Sequence, residues 1–269
     1  MLAAEIIALN LVVLSLAGWT LVFRSTTAQP LRDAGRRVLT ELPREPMTER
    51  LLFGTMIVVV GWLFVPGVMV SYKKDLAELL DMTDHPLLPV VHSCISTSIF
   101  LLIASPVGWI VFGGKNRQTE GWLKNTSAGM RGFLLCVVPV ALVLVATHSL
   151  RSKKTQHSLL KLLTESPDLQ TVGSVFLAAV VLAPLVEELV FRLFLQSWLE
   201  SFLRPVVAII IVALGFSAVH GWPDMLPLIP LALVLGGLFY VTRSYVAVVV
   251  THALFNLTNI ILAVLSASE

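Results

Sequence analysis

Eight stretches of the chain stay apolar over nearly the length needed to cross a bilayer, at roughly 2–23, 51–72, 87–112, 132–150, 171–199, 203–220, 225–242 and 245–265. About 30 Å of hydrocarbon must be spanned at about 1.5 Å per residue, so each crossing takes about 20 mostly apolar residues. The pattern predicts an all-α fold, a polytopic membrane helical bundle of about eight transmembrane helices. The first stretch lacks the Lys or Arg that would open a secretory signal, and its apolar run is too long for one, so it is expected to be retained. Between the fourth and fifth spans, KKTQHSLLKLLTE (153–165) sets Leu159, Leu160, Leu162 and Leu163 on one stripe with basic residues around it, the pattern of a helix lying in the headgroup layer. Ser166 and Pro167 stop that helix before the next span. Two regions follow: residues 1–170, with four spans and the interfacial helix, and residues 171–265, with the last four spans.

Composition agrees with a membrane protein. Hydrophobic residues make up 56% of the 269 and charged residues 13%, against about 25% charge in an ordinary soluble domain. The 19 basic and 17 acidic residues leave a net charge of +2, and the basic ones cluster between apolar blocks. They form no stripe of the kind that tracks a phosphate backbone, so nucleic acid is not expected as a partner. Cys94 and Cys136 both fall inside apolar blocks, which suggests neither a disulfide framework nor a thiolate metal cage. With eight spans and the N-terminus outside, the segments 24–50 and 113–131, with Arg204 and Arg243, hold twelve Lys and Arg on the cytoplasmic side, against six outside. That bias favours both termini outside.

An ionisable side chain at the centre of a span costs about 2.5–3.5 kcal/mol even on insertion scales, so those present are informative. The fifth span contains APLVEELVFR (183–192). Glu188 and Arg192 are four apart, share a helix face and can pair. Glu187 points about 100° away and has no partner on its own helix, which leaves its carboxylate available as a general base. Pro184 removes a backbone hydrogen bond and is expected to kink the span just before the pair. The sixth span ends in GFSAVHGWPD (215–224), with Phe216 and His220 four apart, and the eighth carries THALFNLTN (251–259), with His252 and Asn256 four apart. Each such pair alone is explained by ordinary interhelical hydrogen bonding; three pairs in three of the last four spans are not. Counted from the cytoplasmic side at about 1.5 Å per residue, Glu187 lies about 18 Å deep, His220 about 25 Å and His252 about 10 Å, a spread of about 15 Å for upright helices.

A glutamate and two histidines inside a membrane suit two hydrolytic chemistries. Glu187 and His220 can polarise a water for attack on a peptide carbonyl while His252 and Asn256 donate to the oxyanion. Alternatively, Glu187, His220 and His252 can hold Zn²⁺ with one position open to water. The residue types serve either role. No HExxH or GxGD run is present, and the GxS at Gly215 to Ser217 is a weak signal for a serine nucleophile.

The blocks EELVFR (187–192), FSAVH (216–220) and HALFN (252–256) resemble, in order, the EExxxR, FxxxH and HxxxN motifs of the CPBP family of intramembrane proteases, which includes the type II CAAX prenyl endopeptidases and bacterial proteins of bacteriocin processing and self-immunity. The likeness extends through Ala183 and Pro184 and through GGLFYVTRSYVAVVVTH (236–252), and it makes 171–265 a CPBP-like protease core. It implies that Glu187 and His220 activate water and that His252 and Asn256 stabilise the oxyanion or help bind a metal. Glu188 and Arg192 would support them, and Phe216 would line the cavity. Leu193 departs from the Gly common after the motif arginine. The implied function is an intramembrane endopeptidase, glutamate- or metal-dependent, with zinc the one cofactor to test. Its partners would be the bilayer and a membrane-associated peptide or protein, in one branch of the family a prenylated CAAX protein, and its location the plasma membrane if the source is bacterial. The alternatives are a non-catalytic immunity, sorting or regulatory protein on the same scaffold, and a proton-coupled transporter, for which the repeat-related broken helices are missing from the sequence.

Overall fold

The computed structural model describes residues 3–24, 29–41, 48–113, 121–150, 161–163 and 168–267. Among these, every regular element is helical. In chain order they are α1 (Ala3–Arg24), α2 (Gln29–Thr40), α3 (Glu49–Ser71), α4 (Lys73–Leu79), α5 (Leu88–Phe112), α6 (Trp122–Ala146), α7 (Leu169–Leu199), α8 (Pro205–Ala218), α9 (Met225–Thr242) and α10 (Tyr245–Ala267). Seven of them, α1, α3, α5, α6, α7, α9 and α10, are long and apolar enough to cross a membrane. The protein is an all-α, integral membrane bundle.

The expected sixth span is shorter than its apolar run suggests. α8 has 14 residues, about 21 Å of helix, short of a bilayer core of about 30 Å. Pro205 starts it, where a missing N–H does no harm. Past Ala218 the chain turns through Gly221, whose φ of +75° suits only glycine. α9 then packs back along α8, and Arg243 at its end pairs with Glu200, just before α8 begins, at 2.6 Å. The chain thus returns to the end it left. Tyr240 also donates a hydrogen bond to Glu41 there, so segments placed on one side by their basic residues do gather at one end of the bundle.

The fourth span also differs from expectation, running Trp122–Ala146 and not 132–150. Lys124 and Arg131, counted as loop charges, sit in its opening turns. Long basic side chains near a span end can reach the interface while their stems stay apolar, which is why a count of apolar residues starts this helix late. The interfacial helix expected at 153–165 lies outside the described residues except for 161–163, which are helical. Leu163 there is fully buried against Val175, Val180 and Ile260.

Lipid supplies no hydrophobic drive between helices, so close packing and polar ties hold the bundle. α6 packs against α9 and α10 through Gly129 and Gly132: a Cβ on Gly129 would lie 2.6 Å from the Ala247 carbonyl, and one on Gly132 2.7 Å from Thr251 Oγ1. The Thr251 hydroxyl donates to the Gly129 carbonyl at 2.8 Å, which sets the height of α10 and so of its neighbour His252. α1 lies on the outer side of α6, where Pro139 has no N–H for the Leu135 carbonyl four residues earlier. Trp19 Nε1 donates to that carbonyl at 3.1 Å, and Ser15 Oγ bridges the adjacent Leu134 carbonyl and Val138 N–H. A neighbouring helix thus replaces the bonds a proline removes.

α7 is the central helix, with half of its most apolar window buried against 6% for α1. It is not a continuous α-helix. A π segment at Leu177–Leu182 precedes the α-helical turn Ala183–Glu188, and a second π segment follows at Leu189–Gln196. π-bulges mark functional positions often enough to direct attention to the turn between them.

Candidate active site

The turn Ala183–Glu188 presents two adjacent carboxylates to different surroundings. Glu188 is fully buried. Its Oε2 lies 3.3 Å from Arg192 Nε, as the four-residue spacing predicts, and its Oε1 is 2.8 Å from Nδ1 of His252 on α10. The guanidinium of Arg192 lies 4.4 Å from the centroid of the Phe216 ring and also faces the Ala232 carbonyl. Glu187 points instead into a cavity of about 420 Å³ between α3, α5, α6, α7, α9 and α10. Its side chain is 20% exposed and that of His220 is 21% exposed, and both line this cavity.

Three nitrogen and oxygen atoms converge there. Glu187 Oε2 is 3.6 Å from His220 Nε2 and 3.9 Å from His252 Nε2. The far side of each ring is already engaged: Nδ1 of His220 faces the Phe216 carbonyl at 2.7 Å, and Nδ1 of His252 faces Glu188. A carbonyl and a carboxylate only accept, so each Nδ1 is the donor in these bonds and each ring turns its Nε2 towards Glu187. Glu187 Oε2 itself has no direct hydrogen-bond partner. Both separations are longer than a direct hydrogen bond, so Glu187 Oε2 and the two Nε2 atoms face one another without being joined.

The 15 Å spread of upright helices is therefore closed. The π segment Leu189–Gln196 winds more residues into less height and brings Glu187 closer to the level of His252, and His220 stands beyond the end of α8. Phe216 does not line the cavity. It is fully buried behind the histidines, with ring centroids 4.9 Å from His220 and 5.6 Å from His252. It packs the two imidazoles from the back, between them and Arg192. Ser217, the residue of the weak serine signal, is likewise fully buried. Asn256 does line the cavity, and its Nδ2 donates to the Ala179 carbonyl on α7 at 2.8 Å.

Zinc can be tested against this geometry. Glu187, His220 and His252 are the right donor types, and their outer nitrogens have the partners that metal-bound histidines usually have. Four ligands at about 2.0–2.1 Å from zinc stand about 3.3 Å apart, closer than the 3.6 and 3.9 Å here. Among the described residues no group of three or more His, Cys, Asp or Glu is arranged to hold a metal ion. The donor types suit zinc, and as placed the set stands somewhat wider than a closed zinc shell.

Residues outside the motifs complete the chamber. Ser93, Cys94 and Thr97 of α5, Trp62 of α3, Asp224 and Asn259 also face it. The SCIST run of α5 repeats small polar residues one turn apart, and Asn259 stands seven residues after His252 on nearly the same face. Tyr245, which opens α10, donates its hydroxyl to the Leu185 carbonyl at 2.5 Å and so ties α10 to the carboxylate turn.

Residues 170–258 match the family model for type II CAAX prenyl endopeptidase Rce1-like proteins. The matched segment is about a third of the 269 residues and contains every motif residue from Glu187 to Asn256. This is the family that the three motifs resemble. It points to a protease, in a chain whose long apolar helices are those of an integral membrane protein. Neither the curated proteins nor the solved structures contain a match to the chain.

Proposed function

We propose that the protein is an intramembrane endopeptidase that hydrolyses a peptide bond of a membrane-associated substrate with a glutamate-activated water. The convergence of His220 and His252 within 3.9 Å of Glu187 Oε2 at one cavity of about 420 Å³ carries this reading. Glu187 takes a proton from the water as its oxygen bonds to the carbonyl carbon, and the carbonyl electron pair moves onto oxygen. His220 orients that water. The oxyanion accepts a hydrogen bond from His252 when Nε2 is protonated, a form whose charge Glu188 balances through Nδ1–H, and from the amide proton of Asn256 that Ala179 does not use. The C–N bond then breaks, and the leaving amine receives the proton held by Glu187. A general base and an oxyanion donor of this kind each contribute about two to four orders of magnitude in rate.

The substrate is a chain that reaches the cavity from the bilayer, and a prenylated CAAX protein is the class to test first. Purified protein reconstituted in vesicles should cleave at least one of a panel of membrane-anchored peptides, half with a prenylated C-terminal cysteine and half without. Cleavage should persist after exhaustive chelation, with zinc content measured on the same sample. Folded protein that binds these peptides and cuts none would overturn the endopeptidase reading in favour of a non-catalytic partner on this scaffold.

A further inference from the structure

The residue that closes the cavity on α10, Asn256, does something on α7 that no motif describes. In the π segment Leu177–Leu182 the backbone bonds run five residues, and the N–H of Ala183 reaches the Ala178 carbonyl. In the same register the carbonyl of Ala179 would accept from residue 184. That residue is Pro184, which has no N–H. The orphaned carbonyl is the one to which Asn256 Nδ2 donates, at 2.8 Å. Inside a bilayer an unmet carbonyl is costly, so this bond replaces the one that proline removes. The fold contains the same device elsewhere, where Trp19 of α1 donates to the Leu135 carbonyl orphaned by Pro139.

We propose that Asn256 is a positioning residue for Glu187, acting by completing the backbone of α7 at Pro184. Glu187 follows Pro184 by three residues, one turn along the same short α-helical segment. The segment is bounded by π-helix on both sides. Asn256 pins it from before the proline, and Tyr245 pins it after, at the Leu185 carbonyl. Both pins come from α10, the helix that also carries His252. The carboxylate and the imidazole are thus held in one frame, in which a displacement of about 1 Å can cost about a hundredfold in rate. As far as it concerns catalysis this rests on the proteolytic reading; the backbone role does not.

The test is a double-mutant cycle of Asn256→Ala and Pro184→Ala in the full-length reconstituted protein, read by thermal unfolding and by cleavage of the membrane-anchored peptide panel. In the wild-type background Asn256→Ala should lower the melting temperature by several degrees. In the Pro184→Ala background, where residue 184 supplies its own N–H to Ala179, it should lower it by less than half as much. Cleavage lost on Asn256→Ala should be regained about tenfold or more by adding Pro184→Ala, which a purely oxyanion-binding asparagine would not allow. Additive losses in melting temperature overturn the proposal, whether or not any peptide is cleaved. Coupled melting temperatures with no cleavage by any variant, wild type included, would count against the endopeptidase reading and leave the backbone role standing.

Discussion

The middle turn of α7 and its C-terminal end both carry buried carboxylates, and only the middle turn is built for chemistry. Near Arg243, Glu200 is buried and doubly held, by the Arg243 guanidinium at 2.6 Å and by the Gln196 amide at 2.7 Å. Gln196 in turn donates to the Gly236 carbonyl at 2.9 Å. Both partners of this carboxylate are in direct contact with it. Near Pro184, Glu188 is held in the same way by Arg192 and His252, while Glu187 beside it faces two imidazoles at distances too long for direct bonds, at a cavity of about 420 Å³. Buried charge is common to both places. What distinguishes the site is a carboxylate left short of a partner where a substrate could supply one.

Substitutions should break this contrast in order of effect. His220→Ala removes the imidazole proposed to orient the water, along with its hydrogen bond to the Phe216 carbonyl and its contact with the Phe216 ring. Its cleavage rate should fall about two to four orders of magnitude with only a small drop in melting temperature. Glu188→Ala removes the counter-charge of fully buried Arg192 and should destabilise the protein by about 3–5 kcal/mol, measured by reversible unfolding in detergent or by steric trapping in bilayers. At the other end, Arg243→Ala breaks a charged hydrogen bond and should cost about 2 kcal/mol, without altering kcat beyond the loss of folded protein. Arg243 has a φ of 51°, a left-handed conformation that glycine adopts freely, so Arg243→Gly should cost less than Arg243→Ala. Trp19→Phe, which loses the bond to the Leu135 carbonyl, should cost about 1 kcal/mol and leave cleavage intact.

Much of this was legible in the residue pattern, for reasons that can be named. Long apolar runs leave little choice but membrane helices, and the boundary of α6 was misread only where Lys124 and Arg131 interrupt the run while remaining helical. Glu187, Glu188, Arg192, His220, His252 and Asn256 stood out because ionisable and amide groups are expensive in a bilayer and their four-residue spacing survives in one dimension. The interhelical contacts were not legible. Spacing pairs Glu188 with Arg192, but its hydrogen bond to His252 depends on how α7 and α10 cross. Phe216 shares a helix face with His220, and nothing in that spacing says that it packs behind the ring and not in the cavity. The Ala179 carbonyl that Asn256 meets exists as an orphan only because a π register precedes Pro184, and no local propensity encodes that register. The α5 wall of Ser93, Cys94 and Thr97 carries no motif at all.

The central claim is that Glu187 is the base that activates water, and one substitution addresses it. Glu187→Gln keeps size and shape and removes only the ability to take a proton. Reconstituted beside wild type at equal folded amounts, it should retain peptide binding and the wild-type melting temperature while losing at least a hundredfold in single-turnover cleavage. Cleavage at the wild-type rate by Glu187→Gln would contradict the account.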